Sequence, residues 1–121
     1  DFVYSLQQDP ANNCSLIFKI SGYEDSILFF GDAYSETLFD YMYETYGTDM
    51  EAEYVQAPHH GNSVLSLEKY SLLCPEVILF DAPEWLMTGE DYLAKDLKEW
   101  CDVRDITTYD YTTAQNGFTF R

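Results

Sequence analysis

Residues 26–33 read SILFFGDA, a short apolar run that ends in a glycine and a carboxylate. An uninterrupted apolar run of this length is typical of a strand that is covered on both faces. A second such run, EVILF at residues 76–80, is followed directly by Asp81. We therefore predict two central strands of a sheet, each with polar residues where the strand ends.

Segments with helical periodicity alternate with strand-like segments on either side of these two runs. The further predicted strands span residues 14–20 (CSLIFKI), 53–57 (EYVQA), 105–109 and 118–121. The predicted helices span residues 35–46, 66–73 and 88–100. This alternation predicts an α/β fold with mostly parallel central strands, and the hairpin-type turns at residues 22–25 and 116–117 predict a mixed sheet.

Three local signals set the predicted helix boundaries. Ser35 is a good N-cap residue for the first helix, and Gly47 is suited to end it. Residues 88–91 (TGED) have the form of a capping box for the last helix. Within that helix an apolar stripe at helical spacing predicts the side that faces the core; its members are Leu93, Leu97, Trp100 and Cys101.

Length and charge limit the classes of protein to consider. The chain has 121 residues, 46% of them hydrophobic, which predicts a single domain over residues 1–121 rather than a disordered chain. Its 22 acidic and six basic residues give a formal net charge of −16. This charge repels a phosphate backbone and an anionic membrane, so we expect no nucleic acid on this chain alone. No apolar run approaches the roughly 20 residues of a membrane-spanning helix.

The three cysteines form no CxxC pair, and their number is odd. We expect Cys14, Cys74 and Cys101 to be buried free thiols, and their pattern leaves the compartment open. The chain starts at Asp1 close to an apparent strand, and we expect it to be a piece of a longer protein or a chain whose leader was removed.

Two polar clusters follow predicted strands and carry residues that can bind metal. One is Gly31-Asp32, and the other is His59-His60-Gly61, which contains the only two histidines of the sequence. In α/β sheets ligands collect at the carboxyl ends of the strands. A carboxylate at one strand end can bridge metal ions, and an imidazole at the next can supply a nitrogen ligand. The adjacent glycines let backbone approach a bound group.

The order and spacing of these motifs resemble the second half of a metallo-β-lactamase-fold hydrolase. The motifs are NNCSLIF (residues 12–18), ILFFGDA (27–33), APHHGN (57–62), the PEVILF strand (75–80) and the ending TTAQNGFTF (112–120). They are similar to the competence-protein and phosphorylcholine-esterase branch of that family. The resemblance implies one mixed sheet with helices on one face, as in the carboxyl-terminal lobe of the αββα fold.

The same resemblance implies roles for individual residues. Asp32 takes the place of the aspartate that bridges two zinc ions, and His60 takes the place of a ligand to the second ion. His59, Gly61 and Asn62 then lie where they support the site or touch substrate. The implied cofactor is a divalent metal, with zinc expected first; manganese and iron also suit histidine and aspartate.

The family's first ligand motif, His-x-His-x-Asp-His, has no counterpart in the chain. A catalytic zinc site keeps about three protein ligands. We therefore expect a carboxyl-terminal lobe that is inactive alone and binds metal weakly or not at all. The missing amino-terminal lobe would be its partner. The implied reaction of the complete enzyme is hydrolysis, with a phosphoester as the expected substrate and a metal-bound hydroxide as the nucleophile.

Several alternatives stay open on the sequence. Asp32 could cap the turn into the next helix, and Asp81 could be an exposed loop acid. Asn13 and Ser15 are more typical of backbone-bonding residues than of catalytic ones. The chain could also be a non-catalytic binding or assembly module that pairs with itself through an open apolar sheet face. The third alternative is a receiver-like domain with Asp81 as its phosphoacceptor.

Overall fold

The five strands of the sheet follow one another in space in the same order as in the sequence. The structure is a computed structural model, and it describes residues 9–111. The strands are β1 (Phe18–Ser21), β2 (Ser26–Phe29), β3 (Tyr54–Gln56), β4 (Val77–Leu79) and β5 (Thr107–Tyr109). β1 is antiparallel to β2, and the other neighbours are parallel. The prediction of an α/β fold with a mixed sheet is confirmed.

One short helix precedes β1, and the others lie in the connections between the parallel strands. The helices are α1 (Pro10–Asn13), α2 (Glu36–Tyr46), α3 (Leu67–Tyr70), α4 (Glu84–Thr88) and α5 (Ala94–Val103). Parallel crossovers are right-handed, so a sequential strand order places the crossover helices on the same face of the sheet. None of the helices between residues 9 and 111 is long and apolar enough to cross a membrane.

One face of the sheet is packed against the helices. Leu28, Val55 and Ile78 are direct neighbours across β2, β3 and β4, and all three are buried. They belong to a single cluster with buried residues of the helices, such as Phe39 and Leu97. Burial of these side chains is the main source of stability for this layer.

The other face of the sheet is apolar and partly exposed. Its residues are Phe18, Ile20, Ile27, Phe29, Tyr54, Gln56, Val77, Leu79, Thr107 and Tyr109, as the strand register shows. None of the ten is charged, and Phe18 and Ile20 are 41% and 55% exposed. We call this set the open face. The prediction that the central strands are covered on both faces is not met among the described residues.

The predicted boundaries of α2 are confirmed, and those of the last helix are wrong. Ser35 accepts a hydrogen bond from the backbone N–H of Leu38, and Gly47 follows the helix with a φ of 53°. Thr88 does not cap the last helix; its hydroxyl donates to the carbonyl of Glu84 within α4, a helix that the sequence analysis does not predict. The last helix begins only at Ala94 because α4 and a turn occupy the preceding residues.

Two further expectations need correction. The segment predicted as a strand from residue 14 forms β1 only from Phe18, because Asp9 caps a short helix that begins at Pro10. Of the three cysteines only Cys101 is buried, whereas Cys14 and Cys74 are exposed. The predicted turn and closing strand at residues 116–121 lie outside the described residues.

Candidate functional site

The carboxyl ends of β2, β3 and β4 bring three titratable side chains together. Asp32 follows β2, His60 follows β3, and Asp81 follows β4. Because these strands are parallel neighbours, their ends meet at one edge of the sheet. Each of the three side chains is about half exposed, so all of them are accessible to a ligand.

His60 lies between the two carboxylates. Its Nε2 is 3.0 Å from Oδ1 of Asp32. Its Nδ1 is 3.0 Å from the backbone oxygen of Asp81 and 3.3 Å from Oδ2 of the same residue. The structure thus brings together Asp32 and His60, as the sequence predicts, and adds Asp81, which sequence reasoning placed among ordinary loop acids.

Both ring nitrogens of His60 therefore face hydrogen-bond acceptors. A neutral imidazole has a single N–H donor, so it can satisfy only one of the two sides. With the proton on Nδ1, the lone pair of Nε2 points toward the Asp32 carboxylate. A cation between these two atoms, either a second proton or a metal ion, removes that repulsion.

The turn that carries the histidines has a left-handed backbone. His59, His60 and Gly61 have φ values of 51°, 61° and 89°. Such conformations are costly for residues with a Cβ and are often found at functional sites. The turn is tied to the neighbouring strand end, because the backbone N–H of His59 donates to the carbonyl of Gly31 at 3.0 Å.

Gly61 is required by packing as well as by backbone conformation. A Cβ at this position would lie 2.6 and 2.7 Å from two ring atoms of Phe80. Phe80 is 4% exposed and belongs to the core. The glycine therefore lets the histidine turn pack directly on the core, whereas the approach of its backbone to a bound group stays a prediction.

The side chain of Gln56 connects the ends of β2, β3 and β4 through hydrogen bonds. Its Oε1 accepts hydrogen bonds from the backbone N–H groups of Phe30 and Gly31, at 2.9 and 2.8 Å. Its Nε2 donates to Ala57 O and to Asp81 Oδ1, both at 3.1 Å. Sequence reasoning missed Gln56, and its only signal is a polar residue inside an apolar strand next to the histidine motif.

In the described contacts His59 and Asn62 form hydrogen bonds with residues other than Asp32 and His60, although the ring centroids of the two histidines are 6.1 Å apart. The ring of His59 stacks on Tyr34 with a centroid distance of 5.0 Å, and its Nδ1 lies 3.0 Å from Asn62 O. The side-chain oxygen of Asn62 accepts from the backbone N–H of Leu93. These contacts make both residues supports of the turn.

Tyr34 in turn donates a hydrogen bond to Asp9 at 2.8 Å. This bond lowers the pKa of the Asp9 carboxyl and raises the pKa of the Tyr34 hydroxyl. Tyr34 is thereby held in place beneath the ring of His59.

Asn13 and Ser15 hold the loop that carries Asp32, as expected for backbone-bonding residues. The side-chain oxygen of Asn13 accepts from the backbone N–H groups of Tyr34 and Ser35. Oγ of Ser15 accepts from the backbone N–H of Asp32 at 3.2 Å. Asp32 therefore does not cap its own turn through its side chain, since its Oδ1 lies against His60.

Asp32 and His60 are placed so that both could bind one metal ion, but a third ligand is not among the described residues near them. Two ligands of one tetrahedral zinc ion lie about 3.3 Å apart when each bond is about 2.0 Å, close to the separation of Asp32 Oδ1 and His60 Nε2. Asp81 contacts the opposite nitrogen of the ring and so cannot reach the same ion. Among residues 9–111 no group of three or more histidine, cysteine, aspartate or glutamate side chains could hold a metal ion. The described residues do not form a catalytic zinc site by themselves.

A groove of about 420 Å³ runs along the open face and reaches this edge. Its apolar lining includes Phe29, Leu79 and Tyr109, and its polar end includes Gly31 and Asp81. The rings of Phe18 and Phe29 stack within the open face at 4.8 Å between centroids. The groove therefore joins the open face to the site at the strand ends.

Comparisons of the chain with protein-family profiles, with curated proteins and with solved structures found no match.

Proposed function

We propose that this chain is the carboxyl-terminal lobe of a metal-dependent hydrolase and supplies two of its metal ligands, Asp32 and His60. The single observation that carries this proposal is the 3.0 Å approach of Asp32 Oδ1 to His60 Nε2 at the ends of adjacent parallel strands. The resemblance in motif order and spacing adds the reaction class, hydrolysis, and the expected phosphoester substrate.

A second lobe seated on the open face accounts for both features that the described residues leave incomplete. It would bury an uncharged apolar surface that includes Phe18 and Ile20, which lowers the free energy of association. Because the groove on that face reaches Gly31 and Asp81, the same lobe would approach the edge where further ligands are needed. A single partner lobe would therefore both cover the open face and bring further ligands to the metal site.

Zinc titration of the isolated chain tests the proposed ligands. We expect binding no tighter than about micromolar, because a zinc ion held by two protein ligands lacks the third that catalytic sites use. Asp32→Ala and His60→Ala should each abolish it in isothermal titration calorimetry. Since Cys14 and Cys74 are exposed, the titration is done on a chain in which both are serine.

Asp102→Ala is the matched control for Asp32→Ala, because Asp102 is an exposed carboxylate on α5 with no described contact to Asp32 or His60. It should leave the affinity unchanged. Stoichiometric binding in the nanomolar range, or binding that survives both alanine substitutions, contradicts the assigned ligands.

The open face also favours a second candidate function, a non-catalytic assembly module that pairs with itself. A face with ten uncharged residues can be buried against its own copy about a two-fold axis.

The order of the strands disfavours the third alternative, a receiver-like domain. Doubly wound receiver-type sheets have the order 2-1-3-4-5, whereas this sheet runs 1-2-3-4-5 with an antiparallel edge strand.

Light scattering tests self-association of the isolated chain. We expect dimers at tens of micromolar (about the range in which weak pairs form) and more dimer as salt is raised, because two copies of charge −16 repel each other. Phe18→Asp should abolish the dimer. Val103→Asp, at an 81% exposed apolar residue of α5, is the control and should not.

A strictly monomeric chain at high salt counts against the assembly module and leaves the lobe proposal standing. The two candidates separate on whether a His-x-His-x-Asp-His motif works together with this chain, in the same polypeptide or in a partner. Such a motif supports the hydrolase, and a physiological assembly without it supports the module.

A further inference from the structure

The side chain of Gln56 is a buried amide with all of its hydrogen-bonding groups in use. Gln56 is 6% exposed although it lies on the open face of the sheet. Its oxygen accepts two backbone N–H groups, from Phe30 and Gly31. Its nitrogen donates to Ala57 O and Asp81 Oδ1, and a longer contact of 3.4 Å reaches Gly31 O. A buried amide in this state has little freedom to reorient.

These bonds act on both sides of His60. The bonds to Phe30 and Gly31 fix the backbone immediately before Asp32, which faces Nε2 of the ring. Because Oδ1 of Asp81 is bonded to Gln56, Oδ2 and the backbone oxygen of Asp81 face Nδ1 of the His60 ring. One amide therefore sets the distance between the two carboxylates and the direction in which one of them points.

We propose that Gln56 is the positioning residue of the site: it fixes Asp81 and the backbone before Asp32, and so holds the ring of His60 with Nδ1 toward Asp81 and Nε2 toward Asp32. The ligand role of His60 belongs to the proposed function, on which the value of this orientation rests. Orientation of a ligating histidine by a hydrogen bond to its other nitrogen is a general feature of metal sites. Gln56 itself contacts neither His60 nor Asp32 through its side chain in the described contacts, so it acts through its neighbours.

Nitrogen NMR of the metal-free chain tests the proposal directly. The sequence has only two histidines, so long-range ¹H–¹⁵N spectra contain two imidazoles, which are assigned by replacing each histidine in turn. In Gln56→Leu we expect the Nδ1 and Nε2 signals of His60 to move away from their positions in the unaltered chain, because Asp81 and the backbone before Asp32 lose the hydrogen bonds that hold them against the ring. His59, whose Nδ1 faces Asn62 O, should keep its pattern and serves as an internal reference.

Glu53→Leu is the matched control for loss of stability. Glu53 lies before the other end of the same strand, and its Oε2 accepts from the backbone N–H and the hydroxyl of Ser26, both at 2.7 Å. It thus joins β3 to β2 as Gln56 does, but far from His60. This substitution should lower the midpoint of urea unfolding and leave the His60 signals in place.

Asp81→Ala covers the case in which Gln56→Leu does not fold, because Asp81 is about half exposed. It removes the carboxylate and keeps the backbone oxygen, so the His60 signals should move as well. Unchanged His60 signals in Asp81→Ala and in any folded Gln56→Leu overturn the proposal, and so does an equal change in Glu53→Leu. Because no metal is added, these outcomes are independent of the zinc titration.

Discussion

Gly61→Ala is expected to lower the free energy of unfolding by about 3 kcal/mol, the sum of an overpacked core contact and a strained backbone. The new methyl group would lie 2.6 Å from the buried ring of Phe80, at a position whose φ is 89°. Either the ring leaves its place in the core, or the histidine turn moves away from it. The loss is measured as the shift of the midpoint in urea unfolding at constant slope.

Gly47→Ala separates the two causes. Gly47 has a φ of 53°, but a Cβ there would meet nothing within 4 Å. Only the backbone cost remains, about 1–3 kcal/mol for a residue with a Cβ held at this φ and at a ψ of −128°. If both substitutions cost the same, the contact with Phe80 does not constrain the turn and the packing argument for Gly61 is wrong.

Lys98→Met is expected to lower the free energy of unfolding by about 2 kcal/mol, because the buried carboxylate of Asp110 loses a charged partner. The loss should be smaller than for a fully buried ion pair. Nζ of Lys98 lies 2.8 Å from Oδ2 of Asp110, whose side chain is 1% exposed. Methionine keeps most of the apolar stem, so the change reports on the charge. Asp110 follows β5 at the same edge of the sheet and lines the groove, so the loss should also be seen as faster hydrogen exchange in β5.

Lys95→Met provides the comparison on the same helix. Lys95 pairs with Glu90 at 2.7 Å, but the Glu90 side chain is 84% exposed. Ion pairs of this kind contribute little because water screens them. We expect no measurable change in the urea midpoint, and an effect as large as that of Lys98→Met means that burial of Asp110 is not the cause.

Local signals in the sequence predict most of the secondary structure. The apolar runs before Gly31 and Asp81 form the parallel strands β2 and β4 on either side of β3, and Ser35 and Gly47 bound α2 as predicted. Each of these features depends on residues within a few positions of one another. The wrong helix start predicted at Thr88 also comes from a local pattern. The Thr88 hydroxyl bonds to the carbonyl of Glu84, four residues earlier, instead of capping the last helix.

Burial of single residues is less predictable. The apolar stripe of α5 has Leu97, Trp100 and Cys101 buried, but Leu93 is 40% exposed because the helix begins after it. The exposure of Cys14 and Cys74 likewise follows from where the turns place them. Adjacency to apolar residues in the sequence does not determine on which side of a turn a side chain lies.

The sequence by itself determined the alternation of strands and helices, the carboxylates and histidines that follow the strands, and the absence of charge from alternate strand positions. Only the tertiary structure decided that Asp81 and Gln56 join Asp32 and His60, and that the histidine turn is left-handed. Gln56 bonds to residues about 25 positions away, and Asp81 lies 21 positions from His60. Contacts over such separations depend on strand register and on the backbone angles of each turn, and no pattern of neighbouring residues records either one.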